Sequence, residues 1–372
     1  MTTPALSVEA AVPGDDDGIR TLLRRQVMGG SIRLTFERDP DFRRAATIEG
    51  QRHHMFVARR GSGEVVGLAS RAVRRVWVDG ESRLVGYLAQ LRRIPELRGG
   101  RHLLRAGFDA CAATRQNDEL PVDLTSIVCD NVEARRLLER GVAGLPSYRR
   151  LCRYWTLTFE TGGRGVPETT LVGQGTVELL PAIADCLQRN LRRFEFAPVW
   201  TAGDLGDPER CRDLAAADFL TARDDDGDVR ACLAIWDQRR FKQVVVRGYD
   251  ARLTTFRPLI NVGLTCLRRP RLPAPGTSLA LGFLSHVAVD DDDPRWLLPL
   301  LTEARRVARK RGLDYLSVGF ARRHPLAASV RRATGARVLE SILYLVGTED
   351  EANAWSERCA QARCPHVEAA TL

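Results

Sequence analysis

The sequence predicts an α/β (α+β) chain of two similar domains, each built from alternating strands and helices. Three observations carry that prediction. A chain of 372 residues holds about two domains of ordinary size. Short β-branched runs alternate with stretches of helical spacing along both halves. Residues 160–168, ETGGRGVPE, place three glycines and a proline between the halves, the composition of a linker or reversal. The expected units are 1–165, 166–350 and a polar tail, 351–372.

The elements follow in order. Residues 8–11 read as a short strand. Residues 15–27 read as a helix whose acidic start suits the positive end of a helix dipole. A second short helix is expected over 41–49. Strands over 55–58 and 65–73 flank Gly61-Ser62-Gly63, a hairpin-like turn. The polar turn VDGES leads into a strand over 84–91. Residues 102–114 have helical spacing, with Leu103, Leu104, Phe108 and Cys111 on one side. A strand over 122–129 precedes a helix over 131–140, capped by Asn131 and closed by Gly141. The half ends on a strand over 149–159.

The second half repeats the order with changed spacing. Residues 169–177 suit a strand of either unit. Helices are expected over 181–193 and 207–217, and strands over 219–223 and 229–236 around the turn DDDGD. Residues 257–276, rich in Pro and Arg, read as a long connection. A strand (280–289), a helix (295–311), a strand (315–320), a helix (326–333) and a strand (337–346) complete the pattern. GEVVGLASRAV and GDVRACLAIW occupy similar places in the two halves, so the chain reads as a diverged internal duplication.

Composition narrows the function classes. Hydrophobic residues make up 44% and charged residues 28%, the balance of a folded globular protein. No apolar run approaches the roughly 18 residues of a membrane span, and the N-terminus has neither a basic start nor an apolar core, so no signal peptide or membrane partner is expected. Nine scattered cysteines suit a reducing cytoplasm better than a disulfide framework. Cys359, Cys364 and His366 lack a fourth ligand, so no metal site is expected and the tail reads as frayed. The net charge is +9, yet only Lys242 and Lys310 among 56 basic residues are lysines. A nucleic-acid surface has no reason to avoid lysine. The excess reads as the arginine bias of a bacterial genome, and no nucleic-acid motif accompanies it.

Two segments carry a resemblance. RLVGYLAQLRRIPELRGGRHLLRAGFDACA, residues 83–112, resembles the central strand, loop and helix of the GNAT acyltransferase superfamily, and DNVEARRLLERG, residues 130–141, is similar to that family's Asn-x-x-Ala helix. The resemblance implies two GNAT-like domains, each a mixed, mainly antiparallel sheet flanked by helices, the second degenerate. It implies acetyl-CoA or another acyl-CoA as a substrate, its pyrophosphate cradled by backbone N–H groups and a helix N-terminus. The matching positions are Arg98, Gly99, Gly100, Arg101, His102 and Leu103. Leu91, Arg92 and Arg93 would run beside the pantetheine arm, with the arginines adding charge, and Asn131, which opens the second motif, is a further cofactor-binding candidate. The family's glycines are replaced by Arg101 and Leu103. Its acidic tyrosine falls on Leu138, which leaves Tyr148 as the candidate acid and Glu133 as the candidate base, with Asp130 and Glu96 as further bases. His53 and His54 could line a cleft. The second copy, FLSHVAVDDDDPRWLLPLL, has no such loop, and its four aspartates would repel a pyrophosphate. That half is expected to supply scaffold and a cleft wall, with Arg257, Asn261 or Trp236 turned toward the cleft.

The implied function is acyl-CoA-dependent N-acyl transfer, N-acetyl transfer first of all, to a small-molecule or peptide amine. The alternative is a GNAT-like ligand-binding or structural protein without chemistry. A homodimer is left open as a further partner.

Overall fold

The computed structural model describes residues 6–372 apart from 62, 95, 98–99, 163–171 and 362. The first half runs β1 (Leu6–Ala10), α1 (Asp16–Arg25), β2 (Ile32–Glu37), α2 (Phe42–Ala46), β3 (Arg52–Arg60), β4 (Glu64–Val78), β5 (Glu81–Arg93), α3 (Gly100–Ala112), β6 (Glu119–Val128), α4 (Val132–Glu139) and β7 (Ser147–Glu160). The second runs β8 (Val172–Gln174), α5 (Leu180–Leu191), α6 (Ala202–Gly206), β9 (Phe219–Arg223), β10 (Val229–Trp236), β11 (Gln243–Tyr249), α7 (Ala251–Cys266), β12 (Leu281–Val289), α8 (Pro294–Lys310), β13 (Tyr315–Ala321), α9 (Pro325–Thr334), β14 (Arg337–Gly347) and α10 (Glu349–Gln361).

Local chemistry accounts for the elements that position the site. Asp79 and Gly80 both have positive φ, 52° and 82°, the tight hairpin that reverses β4 into β5. Helix α3 buries Leu103, Gly107 and Cys111, one residue per turn. Helix α8 starts at the side chain of Asp293, which accepts from Arg295 N, and buries Leu297, Leu300, Leu301, Ala304 and Ala308.

Twelve strands form one mixed, mainly antiparallel sheet in the order β1-β3-β4-β5-β6-β14-β7-β13-β12-β10-β9-β8, with helices on its faces. Counted outward from the central β14–β7 pair, the two wings repeat one pattern. Each has an antiparallel pair, then one parallel pair (β6–β5 or β13–β12), then three antiparallel pairs. The two halves interlock there: β14 borders β6 and β7 borders β13. A second, two-stranded sheet joins β2 to β11 across the same divide. β4 and β10, which carry the two similar segments, hold the third place from opposite sheet edges.

Three expectations are corrected, and one pairing is added. Residues 207–217 form no α-helix: 208–213 are turns and a short 3-10 helix, Ala216–Asp218, follows, with Asp213 at φ 56° and Trp236 Nε1 donating to Arg212 O at 2.7 Å. The connection expected over 257–276 begins inside α7. That helix is capped by Asp250 and carries Pro258, and it buries no residue fully, which removes the amphipathic signal. β2 and β11 add to the expected pattern: each pairs with the other across the two halves, a partner no local signal marks. The tail is not frayed. After α10 the chain turns back, residues 366–371 are buried, and the tail packs against both β12 and β13. Val367 and Ala369 join the core of Tyr87, Leu124, Tyr154 and Leu345.

Candidate active site

The first-half site grows from a bulge near the end of β5. Ala89 pairs with Ser70 and Arg92 with Leu68, so Gln90 and Leu91 together oppose one residue of β4. Gln90 adopts φ 55°, a left-handed conformation uncommon outside glycine. β5 and β6 pair in parallel only as far as Tyr87 and Leu124 and then diverge. Thr125 Oγ1 donates to Leu88 O at 2.7 Å, and the Tyr87 hydroxyl meets Ser126 Oγ at 2.7 Å across the opening. Among the described residues, no side chain is hydrogen-bonded to the main chain of Gln90 or Leu91.

The expected site residues spread over three places. Leu91 is exposed beside the bulge, 43% of its surface reaching solvent. Arg93 donates to Leu97 O at 3.1 Å and lies over Gly100 at the start of α3, where a Cβ would sit 3.8 Å from its guanidinium carbon. Arg101 and His102 are exposed on the first turn, and Leu103 turns into the core. Arg98 and Gly99 lie outside the described residues. Arg92 is half-buried and turned toward Arg38; burial and that second guanidinium push its pKa down. Asn131 caps α4, its Oδ1 accepting from Ala134 N at 3.2 Å. Glu133 is exposed one turn later. Tyr148 is buried, its ring edge-on to Phe108 and Tyr344, and burial pushes its pKa up. Glu133 and Tyr148 are not hydrogen-bonded to each other. Of the second-half residues, Arg257 donates to Pro273 O, Asn261 bonds Leu272 at both ends of its amide, and Trp236 is fully buried. All three serve local contacts.

Sequence reasoning missed the polar cluster on the face opposite α3. Arg74 lies 4.1 Å from the centre of the Tyr87 ring, and its Nε donates to Glu49 O at 2.6 Å. Glu49 is buried between Arg38, at 2.8 Å, and His53 Nε2, at 3.2 Å. Burial alone would raise the Glu49 pKa; Arg38 and His53 outweigh it and hold the carboxyl at about 2. Lys242 is half-buried nearby, its pKa pushed well down by desolvation, and donates to the main-chain oxygens of Ala370 and Leu372. Two ends of this cluster, Glu49 with His53 and Lys242 with the tail, come from opposite ends of the chain. The only sequence signal was the pair His53-His54 before a strand.

The second half repeats the bulge. Gly86-Tyr87-Leu88-Ala89-Gln90 is matched by Gly282-Phe283-Leu284-Ser285-His286. His286 has φ 53°, and the pairing of β10 with β12 shifts between Cys232 and Ala234. As Arg74 covers Tyr87, Lys242 covers Phe283, at 5.6 Å. β12 and β13 pair only over Leu281–Phe283, and here the tail enters. Glu368 Oε2 accepts the His286 N–H at 2.9 Å, and burial pushes that carboxyl up to about 7. Tyr154 holds the tail by donating to Val367 O at 2.8 Å. Three of the four aspartates are ion-paired: Asp290 with Arg189 and Arg230, Asp292 with Arg193, and Asp293 with Arg295.

Two cavities flank these motifs. One, of about 430 Å³, is walled by Arg189, Arg192 and Arg193, each already ion-paired. The other, of about 520 Å³, is walled by His53, Met55, Asp204, Asp207 and Arg210. Among the described residues, no group of His, Cys, Asp and Glu is arranged to hold a metal ion, and no helix is long and apolar enough to cross a membrane.

No family model and no curated protein matches the chain. Solved structures do. A GCN5-related N-acetyltransferase from Sphaerobacter thermophilus aligns with TM-score 0.55 and 17% identity, over 92% of this chain and 96% of its own. The N-myristoyltransferase of Saccharomyces cerevisiae with bound myristoyl-CoA aligns with TM-score 0.59 and 12% identity, over 93% of this chain and 81% of its own. A GCN5-related glucosamine N-acetyltransferase region in a fungal multi-domain β-N-acetylglucosaminidase aligns with TM-score 0.59 and 16% identity. This chain covers 38% of that multi-domain protein and 93% of itself is matched. The fold is therefore the GNAT acetyltransferase fold, at a distance in sequence.

Proposed function

We propose that this chain is an acyl-CoA-dependent N-acyltransferase, an N-acetyltransferase first of all, whose acyl-CoA site lies in the first half. We further propose that residues 1–165 and 166–350 are two copies of one GNAT-like plan, the second kept as scaffold. One observation supports both: the same bulged strand occurs twice, and only the second copy has a carboxylate seated on its bulge N–H.

The first-half opening suits an extended thioester. The widening gap between β5 and β6 would receive the pantetheine arm beside Leu91. The N-terminus of α3, with Arg93, Arg101 and the loop residues Arg98 and Gly99, would meet the pyrophosphate. A main-chain N–H of Gln90 or Leu91 would donate to the thioester oxygen as charge develops on it. Direct attack by an amine needs the two reactants held in line and a proton acceptor within reach. Leaving-group protonation by Tyr148 would require its hydroxyl to reach the sulfur from an apolar cluster.

Calorimetric titration with acetyl-CoA tests this reading. Wild type should bind, and Arg101→Glu should bind about 10-fold to 100-fold more weakly, the loss of one charge-assisted contact plus repulsion. Arg98→Ala should weaken binding less. Absence of heat from wild type would remove the cofactor assignment. Binding without thiol release on any amine would favour a ligand-binding protein without chemistry.

A further inference from the structure

We propose that the cavity of about 520 Å³ is the acceptor pocket, that His53 is the base that takes the amine proton, and that the acceptor is an amine bearing a carboxylate, read by Arg210. The inference rests on the acyl-transfer reading above and names the second substrate of that same site.

Register places the cavity level with the bulge. His53 pairs with Ala72, which pairs with Tyr87. Met55 pairs with Ser70, which pairs with Ala89, the residue before Gln90. Two strand spacings, about 10 Å, therefore separate the cavity wall from the bulge strand. Contacts fix the face: Tyr87 touches Arg74, Arg74 bonds Glu49, and Glu49 bonds His53. An amine in the cavity would approach the thioester from the face opposite α3.

His53 has the surroundings of a working base. Its Nε2 lies 3.2 Å from the buried carboxylate of Glu49, which fixes the ring and leaves Nδ1 as the nitrogen that would take the amine proton. Glu49 is anchored in turn by Arg38, so it is a positioning residue. The step balances simply. The acceptor ammonium gives one proton to His53, and its nitrogen forms the N–C bond. The C–S bond then breaks, and the second nitrogen proton leaves with the thiolate as free thiol.

The wall opposite carries both signs. Asp204 and Asp207 favour an ammonium in the cavity. Glu209 is spent on Arg212, which meets both its oxygens at 2.9 Å. Arg210 is under-satisfied: its guanidinium lies over the Trp200 ring at 5.4 Å and makes only a long ion pair with Asp204, 4.0 Å from Nε, while the buried Nε and Nη1 have no hydrogen-bond partner. A guanidinium in a cavity wall whose hydrogen-bonding capacity is not used up is the natural partner of a carboxylate. A zwitterionic amine of amino-acid type satisfies both signs together.

The test follows thiol release from acetyl-CoA by the full chain. Three pools serve as acceptors: common α-amino acids, their α-amides and their decarboxylated amines. Amino acids should react at least about 10-fold faster than either other pool. Arg210→Gln should erase that preference by raising KM for amino acids alone. His53→Ala should lower kcat by about 100-fold or more, with acetyl-CoA affinity unchanged and partial rescue by added imidazole. Should Arg210→Gln fail to fold, Thr47→Trp, which fills the cavity from its rim, should raise acceptor KM without touching acetyl-CoA binding. Wild-type kcat in His53→Ala, equal rates on the three pools, or no amino-acid turnover by a chain that binds acetyl-CoA would overturn the proposal. No acetyl-CoA binding at all would instead remove the acyl-transfer reading beneath it.

Discussion

The two bulges share a backbone and differ in what meets it. At Gln90 the strands part beside the exposed Leu91. At His286 the same parting is closed by residues 367–371, with Glu368 on the N–H and Trp200, Phe219 and Trp236 around the ring. Under the proposed acyl-transfer reading, one strand geometry would serve as a binding edge in one wing and is a structural seat in the other. The difference lies in side chains and in the route of the tail, while the topology of the two wings stays the same.

Acid should separate the wings most sharply. His286, His324 and His366 all lie in the second wing or its tail, and burial holds them neutral, with pKa values lowered to about 3, about 2 and about 4. Each folded value lies below the unfolded one of 6.5, so their contribution is complete above pH 6.5 and is lost as pH falls. Unfolding takes up as many as three histidine protons and releases one from Glu368, so stability should fall by as much as about 3 kcal/mol per pH unit between pH 6 and pH 5. Urea midpoints between pH 7 and 5 measure this. Hydrogen exchange should show β12 and β13 opening before β3 and β4. A flat profile, or the reverse order of opening, would break the comparison.

The next test concerns how each bulged strand is braced. A Cβ on Gly86 would collide with Asp123 Oδ1 and the Arg71 guanidinium, a buried group that also includes Glu119 and Arg115. A Cβ on Gly282 would meet Leu313 Cδ1 at 2.8 Å, the end of a flexible side chain. Gly86→Ala should therefore cost about 3–5 kcal/mol, as when a buried ion pair is broken. Gly282→Ala should cost about 1–3 kcal/mol, as in an overpacked apolar core. Equal losses by denaturant titration would show that the two braces yield alike.

Much of this was legible in the sequence. Strong periodicity marked α3 and α8, and turn chemistry marked the β4–β5 hairpin. The segment containing Gly86 to Gln90 resembles the GNAT central strand, and it carries the bulge at Gln90. Illegible were contacts between residues far apart in the chain. Nothing local marks β2 as the partner of β11, or shows that Tyr344 fills the space beside Tyr148 and donates to Glu139. The tail was misread for the same reason: Pro365 to Leu372 looks polar and short until Tyr154, Lys242 and Arg74 are seen to hold it. Glu49 and His53 were separable from ordinary surface residues only once Arg38 and Arg74 stood beside them.

Glu368 offers a test with the opposite pH sign. Its folded pKa, about 7, lies above the unfolded 4.5, so its contribution is present below about pH 4.5 and is lost as pH rises through 7. The full shift corresponds to about 3 kcal/mol. Glu368→Gln keeps an acceptor for the His286 N–H and removes the charge, so it should gain stability on wild type as pH rises from 5 to 8. An unchanged difference across that range would mean that Glu368 is not held against its charged form.

The smallest effect bears on the first wing's site. Asn131 opens the Asn-helix and was expected to touch the cofactor, yet its side chain is spent on capping, accepting from Ala134 N. Asn131→Ala should cost about 1 kcal/mol of stability, the usual loss of an exposed cap. Its counterpart after β13 is His324, which caps α9 through Leu326 N at 3.1 Å and stacks on Phe194. Capping thus occurs at the same point of both wings, in the open one and in the plugged one. A residue whose job recurs where no cofactor fits is better explained by the helix than by the ligand. Acetyl-CoA affinity should accordingly be unchanged in Asn131→Ala. A loss of 10-fold or more at constant fold would return Asn131 to the binding site and give the open wing a contact that the plugged one lacks.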